Sequence, residues 1–451
     1  MSNRVVIIGG GFAGLSAGVK LSEIGYHVEV LERRNHLGGR AYSFIDAKTG
    51  DVVDNGQHLF MGCYRHTIAF LEKIKRLDRL NFQGRARVDF LDHQGLSSFD
   101  CPPIPAPLNV LVGLFRMKGI SVGDKIRALN LRRAIKSNGT VPKVALTVDQ
   151  WLDELGQSER IKKRFWHPMV IATLNQSPEI ASARMLKVVL QEAFGGNSSD
   201  SSIGISGVGL SDLYTDGASD FISARGGRVT TGAQVQRLIV ERGVISAVEL
   251  KNGGRIEADF FISAVTPEAL RTILPDQFRS DGFAGLERLG SSPIVSVNLW
   301  FDRPIIEREF VGMLGTKSQW LFNKDMILSS DKRSNQVAVI ISAARDFVDL
   351  NKDELVEMAL GDLHKLLPVS RSASVRHSVI VKEREATISH TIESDDLRPG
   401  PRTVIPNLIL AGDWTNTGLP ATIESAVMSG NVAAELIQDL ARDKSRDTIG
   451  L

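Results

Sequence analysis

Six residues near the N-terminus, Gly9-Gly10-Gly11-Phe12-Ala13-Gly14, constrain this chain most, because of what flanks them. Val5, Val6, Ile7 and Ile8 form a continuous apolar run, as expected of a parallel strand buried on both faces. After the glycines a helical pattern runs from Phe12 to Ile24, with Gly14, Ala17, Gly18 and Leu21 on one face, and Gly25 ends it. His27 to Glu32 then alternates into a second strand. In such a β-α-β unit the first glycine of G-x-G-x-x-G permits the tight turn. The second lets a pyrophosphate approach the backbone, and the third lets helix and strand pack closely. The helix N-terminus supplies free N–H groups and a positive dipole end for phosphates. Glu32, ending the second strand, can accept hydrogen bonds from an adenosine ribose and would repel a 2′-phosphate. A purely structural glycine turn would not require that acid. The pattern predicts a dinucleotide site built on Gly9, Gly11, Phe12, Ala13, Gly14, Glu32 and Arg33.

The rest of the composition narrows the class. A chain of 451 residues is about three domains' worth. With 43% hydrophobic and 24% charged residues it is an ordinary globular sequence, so a disordered chain is excluded. A net charge of +2 gives no reason to expect a nucleic-acid partner. Two cysteines, Cys63 and Cys101, exclude a disulfide framework or a Cys-rich zinc site, and no metal is expected. No apolar run approaches the roughly 18 to 20 residues of a membrane span, and the N-terminus lacks the form of a secretory signal. A cytoplasmic enzyme is the expectation.

Two more segments are legible. Val235–Val240, Val244–Leu250 and Arg255–Ala264 are β-rich runs separated by glycine turns and read as an antiparallel meander. Leu408–Ala411 reads as a strand closed by Gly412 and Asp413, with a helix from about Thr422 to Ala441 and a frayed tail from Arg442. Between these, Cys101 to Pro107 holds four prolines in seven residues and marks a boundary. Residues 108–190 read as mostly helical, Gly195–Gly209 as a mobile Gly/Ser loop, 293–301 as a strand and 353–367 as an amphipathic helix. The simplest architecture is an α/β protein. Residues 1–95, 215–285 and 396–451 would make a discontinuous nucleotide-binding domain, and 96–214 and 286–395 an inserted α+β substrate domain.

Three further motifs carry chemistry. Leu37-Gly38-Gly39-Arg40 could cover a pyrophosphate and put a guanidinium beside it or beside a flavin ring. Asp54-Asn55-Gly56-Gln57-His58 is a second glycine-centred polar turn, and its histidine either takes part in the chemistry or is a satisfied structural residue. Ala411-Gly412-Asp413-Trp414 places a carboxylate at a strand end, where it can hold polyol hydroxyls. The helix that begins near Thr422 and Ile423 would favour negative charge at its N-terminus.

Together these motifs resemble the flavin amine oxidase and phytoene desaturase superfamily, with Ile423-Glu424-Ser425-Ala426 following the C-terminal motif. Two inner stretches are similar to the bacterial hydroxysqualene dehydroxylase group within it. One runs from Asp54 to Tyr64. The other is Phe165-Trp166-His167-Pro168-Met169, continuing through Leu174-Asn175 to Ala181-Ser182-Ala183. The resemblance implies a Rossmann-like, glutathione-reductase-type FAD-binding domain with noncovalent FAD; the C-terminal segment has no cysteine for attachment. It would place the ribose on Glu32, pyrophosphate on Gly11 and Gly14, and flavin near Gly39, Arg40, Gly56, Gln57 and His58. Adenine would meet the Val235 backbone, and the ribityl chain Asp413 and Gly412. It further implies a C30 isoprenoid alcohol as substrate, which loses its allylic hydroxyl to give squalene, with His58 and Tyr64 as candidates for the polar end. His167 is read as a packing residue. Amine-oxidising relatives often carry a lysine in the strand leading to the flavin, and Ser291–Leu299 has none. Only one dinucleotide motif is present, so electrons would come from transiently docked NAD(P)H or a separate reductase. A desaturase running the redox chemistry in reverse, or a prenyl-binding protein of the GDP-dissociation-inhibitor type, are the alternatives.

A C30 substrate needs a route from the bilayer. Residues 104–137 place Ile104, Leu108, Val110, Leu111, Val112, Leu114 and Phe115 ahead of Arg116, Lys118, Lys125, Arg127, Arg132, Arg133 and Lys136, with Asp124 the only acid. This suits a peripheral helix on anionic lipid, or a solvated helix capping the substrate domain.

Overall fold

The computed structural model describes residues 3–102, 104, 108–128, 145–279, 282–329 and 332–449. Its centre is a five-stranded parallel sheet in the order Arg228–Thr230, His27–Leu31, Arg4–Ile8, Phe260–Ser263, Leu408–Leu410. Ile7 pairs with Val30 on one side and Ile262 on the other, so the first apolar run lies mid-sheet and is buried on both faces. The first helix (Phe12–Glu23) and the C-terminal helix (Ile423–Ile449) cover one face. They touch through Gly430, where a Cβ would lie 2.2 Å from the Ala13 carbonyl oxygen. A three-stranded antiparallel sheet (Val235–Glu241, Val244–Leu250, Arg255–Glu257) covers the other face.

A second body is built on a seven-stranded sheet in the order Val375–Ile388, Ser291–Phe301, Gln336–Ile341, Trp320–Asn323, Phe310–Met313, Arg87–Asp92, Gly95–Asp100. The helix Lys352–Leu366 packs on one face of this sheet. A helical layer including Leu108–Arg116, Val148–Glu154, His167–Leu174 and Ala183–Phe194 packs on the other.

The structure differs from the sequence reading in five places. The run 255–264 divides: Arg255–Glu257 closes the antiparallel sheet, while Phe260–Ser263 crosses to pair with Arg4–Ile8. Gly195–Gly209 is not a loop throughout, because Ile203–Ser206 is a buried strand between Leu59–Met61 and Leu80–Phe82. The hairpin Arg87–Asp100 straddles the expected boundary at 95 and joins the seven-stranded sheet by parallel pairing with Phe310–Met313. The helix Leu210–Ser223 straddles the expected boundary at 215 and packs beside the first helix, where Tyr214 stacks on Phe12 at 3.7 Å. Finally, the C-terminal helix continues past Arg442 to Ile449.

Candidate active site

A cavity begins at the glycine turn and extends between the two bodies. Its nucleotide end is formed by Gly9, Gly11, Phe12, Ala13, Glu32, Arg33 and Val235. The three motif glycines are there for different reasons. A Cβ on Gly14 would sit 2.0 Å from the Gly9 carbonyl oxygen, so Gly14 serves the packing of helix on strand and does not line the cavity. Gly9 has φ +112°, and a Cβ there would meet the Ala264 carbonyl oxygen at 2.6 Å. Gly11 is different: a Cβ would find no protein atom closer than 3.7 Å. Nothing in the folded chain requires glycine there, so the room it leaves belongs to whatever enters the cavity. Gly11 is also the N-cap of the first helix and supplies no side-chain cap, which leaves first-turn N–H groups for an anion.

Glu32 is buried. Its Oε2 accepts the Gly10 N–H at 2.8 Å and its Oε1 the Arg34 N–H at 2.9 Å. Each oxygen keeps a lone pair for a diol. The backbone bonds therefore fix the carboxylate beside the glycine turn before any ligand arrives.

Farther in, the two polar turns are locked together. Asn55 donates to the Arg40 carbonyl at 2.6 Å and accepts from the Tyr42 N–H at 3.2 Å. Tyr214, fully buried, donates its hydroxyl to the Gly38 and Ala41 carbonyls at 2.9 and 3.0 Å. Arg40 forms an ion pair with Asp413 and donates to the Ala386 carbonyl at 3.1 Å, so the N- and C-terminal motifs meet side chain to side chain. Gly39, Arg40, Gly56, Gln57, His58, Gly412, Asp413, Thr422 and Ile423 all line this middle section.

The segment 413–422 owes its course to two residues that carry no local sequence signal. Arg398, 5% exposed, donates to the carbonyls of Asp413, Thr415 and Leu419 at 2.9, 2.5 and 2.7 Å. His390, 1% exposed, accepts the Ala421 N–H on Nε2 at 2.7 Å, and its Nδ1 faces Asp395 at 3.7 Å. Glu424, one residue into the C-terminal helix, caps the helix Arg65–Lys73 by accepting the His66 and Thr67 N–H groups at 2.8 and 2.9 Å.

The lining also includes the apolar Leu59, Ala172, Ile294, Trp320, Phe322 and Ile340, with Thr173, Asn175 and Ser342 among them. His58 and Tyr64 line the same cavity. Burial pulls the His58 imidazole below the ordinary histidine range, partly opposed by the charge of Asp54. Burial, aided by the neighbouring Cys63 and Glu424, pushes the Tyr64 phenol well up, partly opposed by a hydrogen bond with the Thr422 side chain. At neutral pH both are uncharged hydrogen-bond donors. Outside the lining, Lys324, 2% exposed, reaches Asp54 Oδ2 at 2.6 Å and Gln57 Oε1 at 2.9 Å. The sequence shows no lysine in Ser291–Leu299; this one comes from the end of a different strand, Trp320–Asn323.

His167 does not line the cavity; its Nε2 lies 3.0 Å from Asp149, beside the buried Lys162 and its carboxylate partners. In the segment 104–137, Leu108, Phe115, Val122 and Ile126 are exposed, whereas Arg132, Arg133 and Lys136 lie outside the described residues. No described helix is long and apolar enough to cross a membrane.

Comparisons with known proteins give the chain's family and fold. A model of the family described as flavin containing amine oxidoreductase matches residues 12–438. A hydroxysqualene dehydroxylase of Rhodopseudomonas palustris is 29% identical over 443 residues, covering 97% of this chain and 99% of that protein. The chloroplastic 15-cis-phytoene desaturase of Narcissus pseudonarcissus is 26% identical over 456 residues, covering 97% and 80% respectively. Among solved structures, an oxidoreductase from Methanosarcina mazei superposes with TM-score 0.74 at 19% identity, covering 96% of this chain and 100% of that one.

Proposed function

The chain belongs to the flavin containing amine oxidoreductase family and is an FAD-dependent oxidoreductase, and on that premise we propose that it removes the hydroxyl of hydroxysqualene reductively, giving squalene and water. The observation that carries this reading is the composition of the cavity. One cavity is lined both by the glycine turn, Glu32 and Val235 and by the apolar side chains of Leu59, Ile294, Trp320, Phe322 and Ile340, and His58 and Tyr64, both uncharged at neutral pH, belong to the same wall.

The residues fit FAD. Gly11 leaves room that the protein itself does not use, the first helix offers uncapped N–H groups, and Glu32 is held ready for a ribose. Arg40, Asp413, Gly56 and Gln57 would border the isoalloxazine and ribityl portions, and Val235 the adenine. Bound FAD, once reduced, supplies the hydride that replaces the hydroxyl. The protein's own part is to hold the alcohol and protonate the departing oxygen. His58 and Tyr64 can donate to that oxygen, and Trp320, Phe322, Ile294 and Ile340 keep water from an allylic carbon as the C–O bond weakens. Two electrons and two protons balance the conversion of alcohol to hydrocarbon and water; docked NAD(P)H or a reductase supplies the electrons.

The parallel sheet and its covering layers would act as the cofactor domain and the seven-stranded sheet with its helices as the substrate domain. Exposed Leu108, Phe115, Val122 and Ile126 beside Lys118, Lys125 and Arg127 would rest on anionic lipid where the substrate enters. Replacing Val122 and Ile126 with Asp should abolish co-sedimentation with anionic vesicles; unchanged binding contradicts the lipid contact.

Similarity to phytoene desaturases over nearly the whole chain favours a second reading, in which the same cavity dehydrogenates a hydrocarbon. Product analysis separates the two. The holoenzyme incubated with a chemical reductant and hydroxysqualene should yield squalene in the lipid extract. Untouched alcohol, with a desaturated hydrocarbon formed by the oxidised enzyme, would reverse the assignment.

A further inference from the structure

We propose that Lys324 is a positioning residue that sets the direction of the Gln57 side-chain amide, so that Gln57 donates an N–H into the cavity to an oxygen acceptor. The inference rests on the reading of this cavity as the FAD and substrate site.

Lysine has three donors and no acceptor, whereas a glutamine amide has a carbonyl at one corner and an NH2 at the other. Lys324 Nζ lies 2.9 Å from the Gln57 amide, so only Oε1 can face it. The NH2 corner is thereby turned away from the ammonium. Among the described residues no protein group accepts from it, and Gln57 lines the cavity. A free glutamine would present either corner. This one presents a donor.

Lys324 is itself held by two acceptors, Asp54 and Gln57, and by a fixed backbone turn. Asp54 Oδ2 accepts from it at 2.6 Å, while Asp54 Oδ1 accepts the N–H of Leu210, the first residue of the helix Leu210–Ser223, at 3.0 Å. The preceding Asn323 donates to the Ile306 carbonyl at 2.7 Å and accepts the Asp325 N–H at 3.1 Å, which fixes the turn that carries the lysine. The same strand brings Trp320 and Phe322 to the cavity wall. The ammonium is 2% exposed and cannot swing to solvent. Its charge also draws electron density toward Oε1, which makes the opposite N–H a better donor.

The acceptor is an oxygen at the reacting end, either a flavin carbonyl or the substrate hydroxyl. Gln57→Glu separates donor chemistry from structure. The carboxylate still accepts from Lys324 in nearly the same shape but has no N–H to give. The apo-protein should melt at the parental temperature. Should FAD affinity, read by quenching of flavin fluorescence, fall about 10- to 100-fold, the acceptor is a flavin carbonyl. Should FAD affinity hold while alcohol affinity and kcat fall by a similar factor, the acceptor is the substrate hydroxyl. The flavin arm needs no substrate, so it answers even if this enzyme acts on a different lipid. Lys324→Arg, which keeps the donors, should retain both affinities, and Lys324→Met should lose what Gln57→Glu loses. Should Lys324→Met not fold, because Asp54 is left buried and unpaired, the Glu and Arg variants still decide. Parental FAD and alcohol affinities in Gln57→Glu overturn the proposal, as does a lowered apo melting temperature as its sole defect.

Discussion

Gly11 and Gly14 differ by three positions and do unrelated work, which a pair of alanine substitutions should reveal. Gly14→Ala drives a Cβ to 2.0 Å from the Gly9 carbonyl oxygen and should cost the apo-protein about 1–3 kcal/mol in denaturant unfolding. Gly11→Ala meets nothing closer than 3.7 Å at an ordinary backbone conformation, so apo stability should change by less than about 1 kcal/mol. FAD affinity should nevertheless drop about tenfold or more, because the methyl fills the phosphate's place. Equal effects on apo stability would contradict this division. His58 makes a pH prediction. Burial holds its imidazole below the ordinary range, so the protonated form accumulates only below about pH 6.5. Where His58 delivers the proton it does so as the imidazolium, the minor form at neutral pH, so turnover should fall with rising pH through a midpoint below that value. His58→Gln should flatten the profile and lower kcat about 100-fold. A parental profile in the variant would move the role to Tyr64. The glycine turn and Glu32 are legible as a place in the fold because their signals are local, and His58 is legible only as a residue of a polar turn that the structure puts in the cavity wall. Lys324 is not, since its partner Gln57 lies 267 positions away and nothing near either residue signals the other.

At the scale of elements, the close contacts are between helices and between a helix and a turn. The first and C-terminal helices approach at Gly430, where a Cβ would lie 2.2 Å from both the Ala13 carbonyl and Ser16 Oγ. Gly430→Ala should therefore part the two helices that frame the glycine turn, with about 1–3 kcal/mol lost and weaker FAD binding. Parental stability there would show that the helices have slack. The segment 413–422 hangs on Arg398 and His390. The His390 imidazole is neutral because burial pulls it down, with Arg398 adding to that and Asp395 and Asp413 opposing it. Protonating Nε2 would set a donor against the Ala421 N–H. As pH falls below about 6.5 the unfolded chain takes up this proton before the folded one does, so stability drops until the folded value is reached. FAD retention should weaken over the same interval. His390→Gln, which keeps an acceptor for Ala421, should soften the dependence, and an unchanged slope would assign it elsewhere. These elements were only partly legible. The strand Ile203–Ser206 hides in Gly/Ser-rich sequence because its pairing partners, not its composition, make it a strand.

In the whole molecule, the strands Arg4–Ile8, His27–Leu31 and Leu408–Leu410 could be read from sequence because each carries its own apolar or alternating run closed by a glycine or an acid, whereas Arg228–Thr230 and the crossing of Phe260–Ser263 into the same sheet could not. Nor could the second body. Its sheet joins Arg87–Asp92 to Phe310–Met313 in parallel, a pairing of segments more than 200 residues apart that no periodicity announces. For that reason the boundary expected at residue 95 cuts through a continuous hairpin. The two bodies together make the cavity, and neither supplies both a dinucleotide section and an apolar wall. The central claim is that this cavity delivers a hydride to an alcohol carbon, and one anaerobic turnover tests it most directly. Holoenzyme reduced with one equivalent of reductant is mixed with hydroxysqualene, flavin absorbance is followed, and the lipid is extracted for mass spectrometry. The expected result is return of the oxidised flavin spectrum with one squalene formed per flavin. A flavin that stays reduced over intact alcohol would contradict the claim.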